Sequence, residues 1–321
     1  MFAGKGAKCV DTVIDTSLNS PVNVSSTLSN SPGSSPEQYA YLAPMYRPDA
    51  ARSNEERIEI IKKGIVIEHA AFTAAMDYAH WILSQPDGTP GRGMLLMGEP
   101  GVGKSTFGEE LALAGRGPIV MISAEGARSM REVYGRVLQA LDGPVAKSMH
   151  TPDRELAVIR LFRALQIKAF VVDEIQDLAK GTQREHEHVL LSIKYLSNTA
   201  RIPLICLGAP ESERAFRVDK HLAKRLRPFR LPLWSLDQSF VDLVANVEAT
   251  LPLRRASTLR NENALKCLID ISGGSLREIM ERITCAAVRA ILSGEECLTL
   301  QGLKDAASPP PRQVAGGGLD G

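Results

Sequence analysis

Aromatic residues are scarce in this 321-residue chain, only 5% of the total, so its core must be built mainly from Leu, Ile, Val and Ala. An excess of charge of either sign is also missing: 38 Lys and Arg stand against 37 Asp and Glu, a net of +1. Any contact with nucleic acid must then come from local patches and not from a globally basic chain. Cysteine is sparse and scattered. Cys9, Cys206, Cys267, Cys285 and Cys297 form no CxxC and no zinc-ligand spacing, which argues for reduced thiols over disulfides or metal. No apolar run approaches the ~18 residues that span a bilayer. The N-terminus lacks the apolar core of a signal peptide, because Lys5 and Lys8 are followed by Val-Asp-Thr-Val-Ile-Asp. The expectation is a cytoplasmic protein with no membrane partner.

Ser17 to Ser35 holds eight serines together with Pro21 and Pro32. Little there can be buried, so residues 1–52 are expected to form a flexible N-terminal arm. The tail, 307–321, carries Pro-Pro-Pro and Gly-Gly-Gly and reads as disordered for the same reason. Asn54 to Gln85 has helical spacing and predicts one or two helices, stopped by Pro-Asp-Gly-Thr-Pro-Gly at 86–91. Short apolar runs then alternate with amphipathic stretches: Met94–Met97, Ile119–Ile122, Ala169–Val172, Pro203–Leu207 and a last one at Leu231–Trp234. That rhythm predicts an α/β unit over 53–234, a parallel sheet flanked by helices. From 235 to 306 the period is helical throughout, in stretches 235–251, 257–271 and 275–292, the first two with serines placed to cap them. This second unit reads as a small all-helical lid.

Gly98-Glu99-Pro100-Gly101-Val102-Gly103-Lys104-Ser105 satisfies G-x-x-x-x-G-K-[ST] and is followed by Thr106. The glycines let successive backbone N–H groups turn inward onto phosphate oxygens, and the helix that follows adds its positive end. Lys104 then supplies a point charge at the β- and γ-phosphates, and the Ser105 hydroxyl is placed to ligate Mg²⁺. A chance match in a chain this long has odds of about one per cent from average composition. The apolar strand before it and the helical pattern after it make an ATP site the clear reading.

Ala169-Phe-Val-Val-Asp173-Glu174 is an apolar strand that ends in two carboxylates. Asp173 is assigned to the Mg²⁺ shell and Glu174 to polarising the water that attacks the γ-phosphate. Gln176 and Asp177 read as surface or supporting residues. Between Arg201 and Arg230 eight Lys or Arg face three Asp or Glu. There Arg225 is the first choice, and Arg227 the second, for an arginine that completes a neighbouring subunit's site; a solvated basic face or a DNA contact is the other reading of this stretch. Arg277 opens a lid helix and is placed to reach the γ-phosphate.

These pieces together resemble the TniB/TnsC family of transposition ATPases, a branch of the AAA+ class. The resemblance runs from about Glu56 to Leu303. It includes Glu56-Arg-Ile, Met94–Thr106 and Phe170-Val-Val-Asp-Glu-Ile-Gln-Asp-Leu. Leu191-Ser-Ile-Lys-Tyr-Leu-Ser-Asn, Leu251-Pro-Leu-Arg-Arg-Ala-Ser and Arg282 to Ser293 carry it further.

The resemblance implies a partner of a DDE transposase that binds ATP and Mg²⁺ and assembles as a ring or helical filament on double-stranded DNA. It also implies a TniQ-type adaptor in CRISPR-associated relatives, and arginine-finger and sensor roles at Arg225 and Arg277. The helix and loop carrying Arg131, Arg136, Lys147 and Thr151 would face the DNA, through phosphate contacts that tolerate any sequence. One departure concerns turnover. Where relatives commonly carry Thr after the glycine of the fourth strand, this chain has Gly208-Ala209. Another side chain must replace that hydroxyl, or hydrolysis is slow. The competing readings are a DnaC- or IstB-like loader and a nucleotide-gated scaffold with little turnover.

Overall fold

The computed structural model describes residues 39–64, 69–86, 92–114, 117–179, 183–216 and 224–306. Five strands of five residues each form one sheet: β1 (Gly93–Met97), β2 (Ile119–Ser123), β3 (Ala169–Asp173), β4 (Leu204–Gly208) and β5 (Leu226–Arg230). The helices in chain order are α1 (Arg47–Ala50), α2 (Asn54–Lys63), α3 (Ala70–Leu83), α4 (Lys104–Leu113), α5 (Met130–Ala140) and α6 (Thr151–Ala164). They continue with α7 (Gln183–Ala200), α8 (Ser212–Phe216), α9 (Gln238–Thr250), α10 (Glu262–Ser272), α11 (Leu276–Ser293) and α12 (Leu300–Asp305).

All strand pairings are parallel, in the order β2-β3-β4-β1-β5. β1, β3 and β4 are buried along their whole length, as strands covered on both faces must be. That explains why unbroken apolar runs, without alternation, announced them. Side chains of successive strand residues point to opposite faces. On one face Leu95, Val120, Phe170 and Cys206 join Tyr134 and Val137 of α5, Phe162 of α6 and Ile193 of α7 in one apolar cluster. Elsewhere in the unit Phe72 of α3 meets Phe107 of α4 edge to face, ring centroids 5.6 Å apart.

The last strand is not where the apolar run lies. β5 is Leu226–Arg230 instead of Leu231–Trp234, with Arg227, Pro228 and Arg230 exposed. An edge strand has a solvated side, so it can carry charge and a proline that would be excluded from the interior. The Leu231 N–H extends the pairing by one bond to Met97 O, at 2.8 Å.

The helical unit has its own core, with Phe240, Val244, Leu265, Leu268, Ile279 and Ile283 from α9, α10 and α11. The caps of α9 and α10 are Asp237 and Asn261, whose carbonyl or carboxyl oxygens accept from Phe240 N (3.0 Å) and Ala264 N (2.9 Å). The expected serines do other work. Ser235 Oγ donates to Asp237 Oδ2 at 3.0 Å, and Ser257 Oγ accepts from Leu298 N at 3.0 Å.

Residues 39–64 group with these C-terminal helices. Ser53 and Glu56 form a reciprocal capping box that starts α2, and α2 buries Arg57 and Ile61. Part of the expected arm is therefore folded. Leu42 and Ala50 are buried, and the Ala43 N–H donates to Ala249 O at 2.9 Å. The rest of the arm, 1–38, and the tail, 307–321, lie outside the described residues. The four cysteines among the described residues are free thiols, and no helix there is long and apolar enough to cross a membrane.

Candidate nucleotide-binding site

The order β3-β4-β1 brings the C-terminal ends of three strands together, and each carries one piece of the site. The loop Gly98–Gly103 leaves β1, Asp173 and Glu174 end β3, and Gly208-Ala209 ends β4. Crevices at such strand ends, where the chain reverses its direction of travel across the sheet, are where open α/β sheets bind ligands.

Gly101 and Gly103 take φ of +79° and +99°, the left-handed region in which an L side chain is strained. Gly103 is the N-cap of α4 and offers no side-chain cap, and the N-terminal turn of a helix is where backbone N–H groups bind anions. Lys104 is only 7% exposed. Its Nζ donates to Gly98 O at 2.8 Å and to Glu99 O at 3.0 Å, which keeps a buried ammonium hydrogen-bonded within the loop that it closes.

Ser105 Oγ donates to Asp173 Oδ2 at 2.6 Å. A hydroxyl and one carboxylate that close together suit Mg²⁺, which takes one or two protein oxygens and fills its octahedron with phosphate and water. The other carboxylate oxygen, Asp173 Oδ1, accepts from the Glu174 N–H at 2.8 Å. Glu174 itself has φ of +52°, a conformation that non-glycine residues seldom adopt and that clusters at functional sites.

Gln176 and Asp177 are not alike. Asp177 is buried, and its Oδ2 accepts from Gly126 N at 2.8 Å, so it holds the loop after β2 and is structural. Gln176 is half-buried and bonds both to Glu174 and to the end of β4. Of the two readings offered for it, it is the supporting one, and only the adjacency of β3 and β4 could have chosen between them.

Arg225 stands immediately before β5, in a shallow cleft with Arg92, Lys194, Ser197 and Asn198. Its Nη1 donates to Asn198 Oδ1 at 2.5 Å. The register pairs Gly93 with both Leu204 and Leu226, so this cleft lies at the N-terminal edge of the strands. The phosphate loop leaves the other edge. A five-residue strand separates the two edges by roughly 15 Å, and Arg225 lies out of reach of its own chain's phosphates. Arg227 is engaged otherwise, its guanidinium 4.9 Å from the Tyr78 ring centroid and 5.4 Å from that of Phe229. Arg277, exposed, is the second residue of α11, and its N–H donates to Gly101 O at 2.9 Å.

Of the four residues implied for DNA, two are joined directly: Arg131 Nη2 donates to Lys147 O at 2.6 Å, and both side chains are exposed. Thr151 begins α6 just after that loop. Arg136 is turned away, with Nη1 on Ser123 O at 2.5 Å and Nη2 on Glu125 O at 2.7 Å. Arg154, which no motif marks, is buried and bonds to Met149 O (3.2 Å) and Ala146 O (3.0 Å), fixing the loop that carries Lys147.

Solved structures with this fold include the Aeropyrum pernix ORC2 protein in ADPNP–ADP complexes (TM-score 0.60, 13% identity, 77% of this chain and 70% of that one). They also include Cdc6p from Pyrobaculum aerophilum (TM-score 0.58, 17% identity, 77% and 69%). The Aeropyrum pernix ORC1 protein in complex with DNA is a third (TM-score 0.54, 13% identity, 78% and 68%). At such identities the likeness speaks for the fold. No curated protein matches the chain in sequence. The family model described as "Bacterial TniB protein" matches residues 57–236, more than half of the chain. With that match, a five-stranded parallel sheet in this order and an intact phosphate loop, the chain belongs to the bacterial TniB family and is an ATPase of the AAA+ class.

Proposed function

We propose that this ATPase is a regulator of DNA transposition: it binds Mg²⁺–ATP, oligomerises on target double-stranded DNA, marks the insertion site and recruits or activates a DDE transposase, with a TniQ-type adaptor as the further partner if its targeting is of the CRISPR-associated kind. Membership of the TniB family carries this reading, and the exposed pair Arg131 and Lys147 supports it. In the site, Gly98 to Thr106 wraps the phosphates, Lys104 meets the β- and γ-phosphates, and Ser105 with Asp173 holds the metal. Bound Mg²⁺ would neutralise charge that builds on the phosphates. Glu174 orients and deprotonates the attacking water, Arg225 reaches the γ-phosphate of another copy, and Arg277 senses it.

Random-sequence fluorescent duplex, titrated with ATP, ADP or no nucleotide at two salt concentrations and imaged by negative stain, tests the reading. ATP-dependent, salt-sensitive binding with rings or filaments is expected, and Lys104→Ala should lose it. DNA binding absent in every nucleotide state, with ATP still bound, would leave the nucleotide-gated scaffold in its place.

The trans role of Arg225 has its own test. Arg225→Ala and Lys104→Ala are each expected to lower hydrolysis by about 10-fold or more. Mixing the two inactive chains should restore part of the activity, because the intact phosphate loop of one then meets the intact arginine of the other. No recovery on mixing, with co-assembly demonstrated, would refute it.

A further inference from the structure

We infer that Gln176 is the positioning residue for Glu174, supplying from the β3 side the polar group that Ala209 lacks. The inference rests on the reading of Glu174 as the residue that polarises water.

Gln176 sits two residues past Glu174, in the 3₁₀ turn Ile175–Ala179. Its Nε2 donates to Glu174 Oε2, and its Oε1 accepts from the Ala209 N–H at 2.9 Å and lies 3.5 Å from Ser212 Oγ. The amide can face only one way. A carboxylate only accepts and a backbone N–H only donates, so nitrogen must point to Glu174 and oxygen to Ala209. Both ends of the glutamine are thereby committed, one to the reacting carboxylate and one to the end of β4.

The surroundings are built for this bridge. A Cβ at Gly208 would come within 2.3 Å of Ser212 Oγ and 2.8 Å of Gln176 Oε1, so only glycine lets the glutamine approach β4 so closely. Glu174 is held from both sides in its left-handed conformation: its N–H donates to Asp173 Oδ1, and its carbonyl accepts from the Asp177 N–H at 2.9 Å. With the backbone fixed there and Oε2 taken by a neutral amide donor, Oε1 is the oxygen left to accept a proton from water. The methyl group of Ala209 offers nothing to either water or phosphate. The bridge therefore does in two bonds what a hydroxyl at 209 would do in one: it ties the end of β4 to the hydrolytic machinery.

Single-turnover hydrolysis of γ-labelled ATP, with enzyme in excess, tests this alongside binding of a fluorescent ATP analogue and thermal melts. Gln176→Ala is expected to lower the hydrolysis rate by about 10- to 100-fold with affinity for the analogue little changed. Gln176→Glu keeps the volume and gives a sharper readout. Its protonated form restores the donor, so hydrolysis should recover as pH falls through a new apparent pKa above the ordinary carboxylate range, a step missing from the parent profile. A rate unchanged or raised in Gln176→Ala, or a Gln176→Glu profile without the new step, overturns the inference while an inactive Glu174→Gln leaves the site reading intact. A fully active Glu174→Gln overturns both.

Discussion

Glu174→Gln is expected to slow ATP hydrolysis by about 10²- to 10⁴-fold, the usual contribution of a positioned base, with ATP affinity kept within a few-fold. The substitution removes the ability to take a proton and almost nothing else. The new amide fills the same volume, can still accept from Gln176 Nε2, and leaves Lys104, Ser105 and Asp173 untouched. Because hydrolysis is lost and binding is not, the variant should hold whatever assembly ATP promotes. Single-turnover rates and analogue binding on the same preparation decide the matter. A variant that turns over at the parent rate would show that some other group activates the water. One that fails to bind nucleotide would point to collapse of the Asp173–Glu174 turn.

Arg57→Ala is expected to destabilise the helical unit by roughly 3–5 kcal/mol, the cost of stripping one partner from a buried ion pair. Arg57 is fully buried, and its two terminal nitrogens each reach a different oxygen of Glu296 at 2.7 Å. The same guanidinium serves Pro252 O at 3.0 Å and Asn54 Oδ1 at 2.7 Å. One side chain thus joins α2 to a turn 195 residues later in the chain and a carboxylate 239 residues later. Truncation leaves Glu296, 12% exposed, without its bidentate partner.

The pair also sets a pH dependence. Burial pushes the Glu296 carboxyl up, but the Arg57 hydrogen bonds, the Arg254 N–H and both positive charges outweigh it, and the net direction is down. A carboxyl lowered in the folded state adds stability that is fully present above its unfolded value of about 4.3. That stability is lost as pH falls through the lower folded value. Denaturant melts should show the gap between parent and Glu296→Gln closing below about pH 4. A gap that stays constant down to pH 2 would mean that the pairing contributes no charge-dependent stability.

What could be read from the chain beforehand follows from where each signal is stored. The phosphate loop and Asp173-Glu174 are local strings whose chemistry depends on residues a few positions apart, so they were legible at once. β1, β3 and β4 were legible because double burial leaves them apolar throughout, save the site residue Asp173 that ends β3. β5 was not, since Arg227 and Arg230 face solvent at an edge and broke the apolar run used to find strands. The caps Asp237 and Asn261 lost to nearby serines because several residues in one loop can cap a helix, and only backbone geometry selects among them. The bridge made by Gln176 and the union of α2 with the C-terminal helices are long-range facts. No window along the sequence contains both halves of either.

On the proposed trans role of Arg225, its place at the opposite strand edge from Gly98–Gly103 bears on assembly. A chain that receives an arginine at one end and offers its own at the other contacts its neighbours through two unlike surfaces, and such contacts close into a ring or run on as an open helix. In an open run the terminal subunit at one end has a nucleotide that no arginine completes. Under the trans reading, that end site keeps its ATP while interior sites can fire. If the proposed polymer forms on DNA, its two tips would then differ chemically, and a partner recognising the ATP-loaded tip would gain a direction along the duplex.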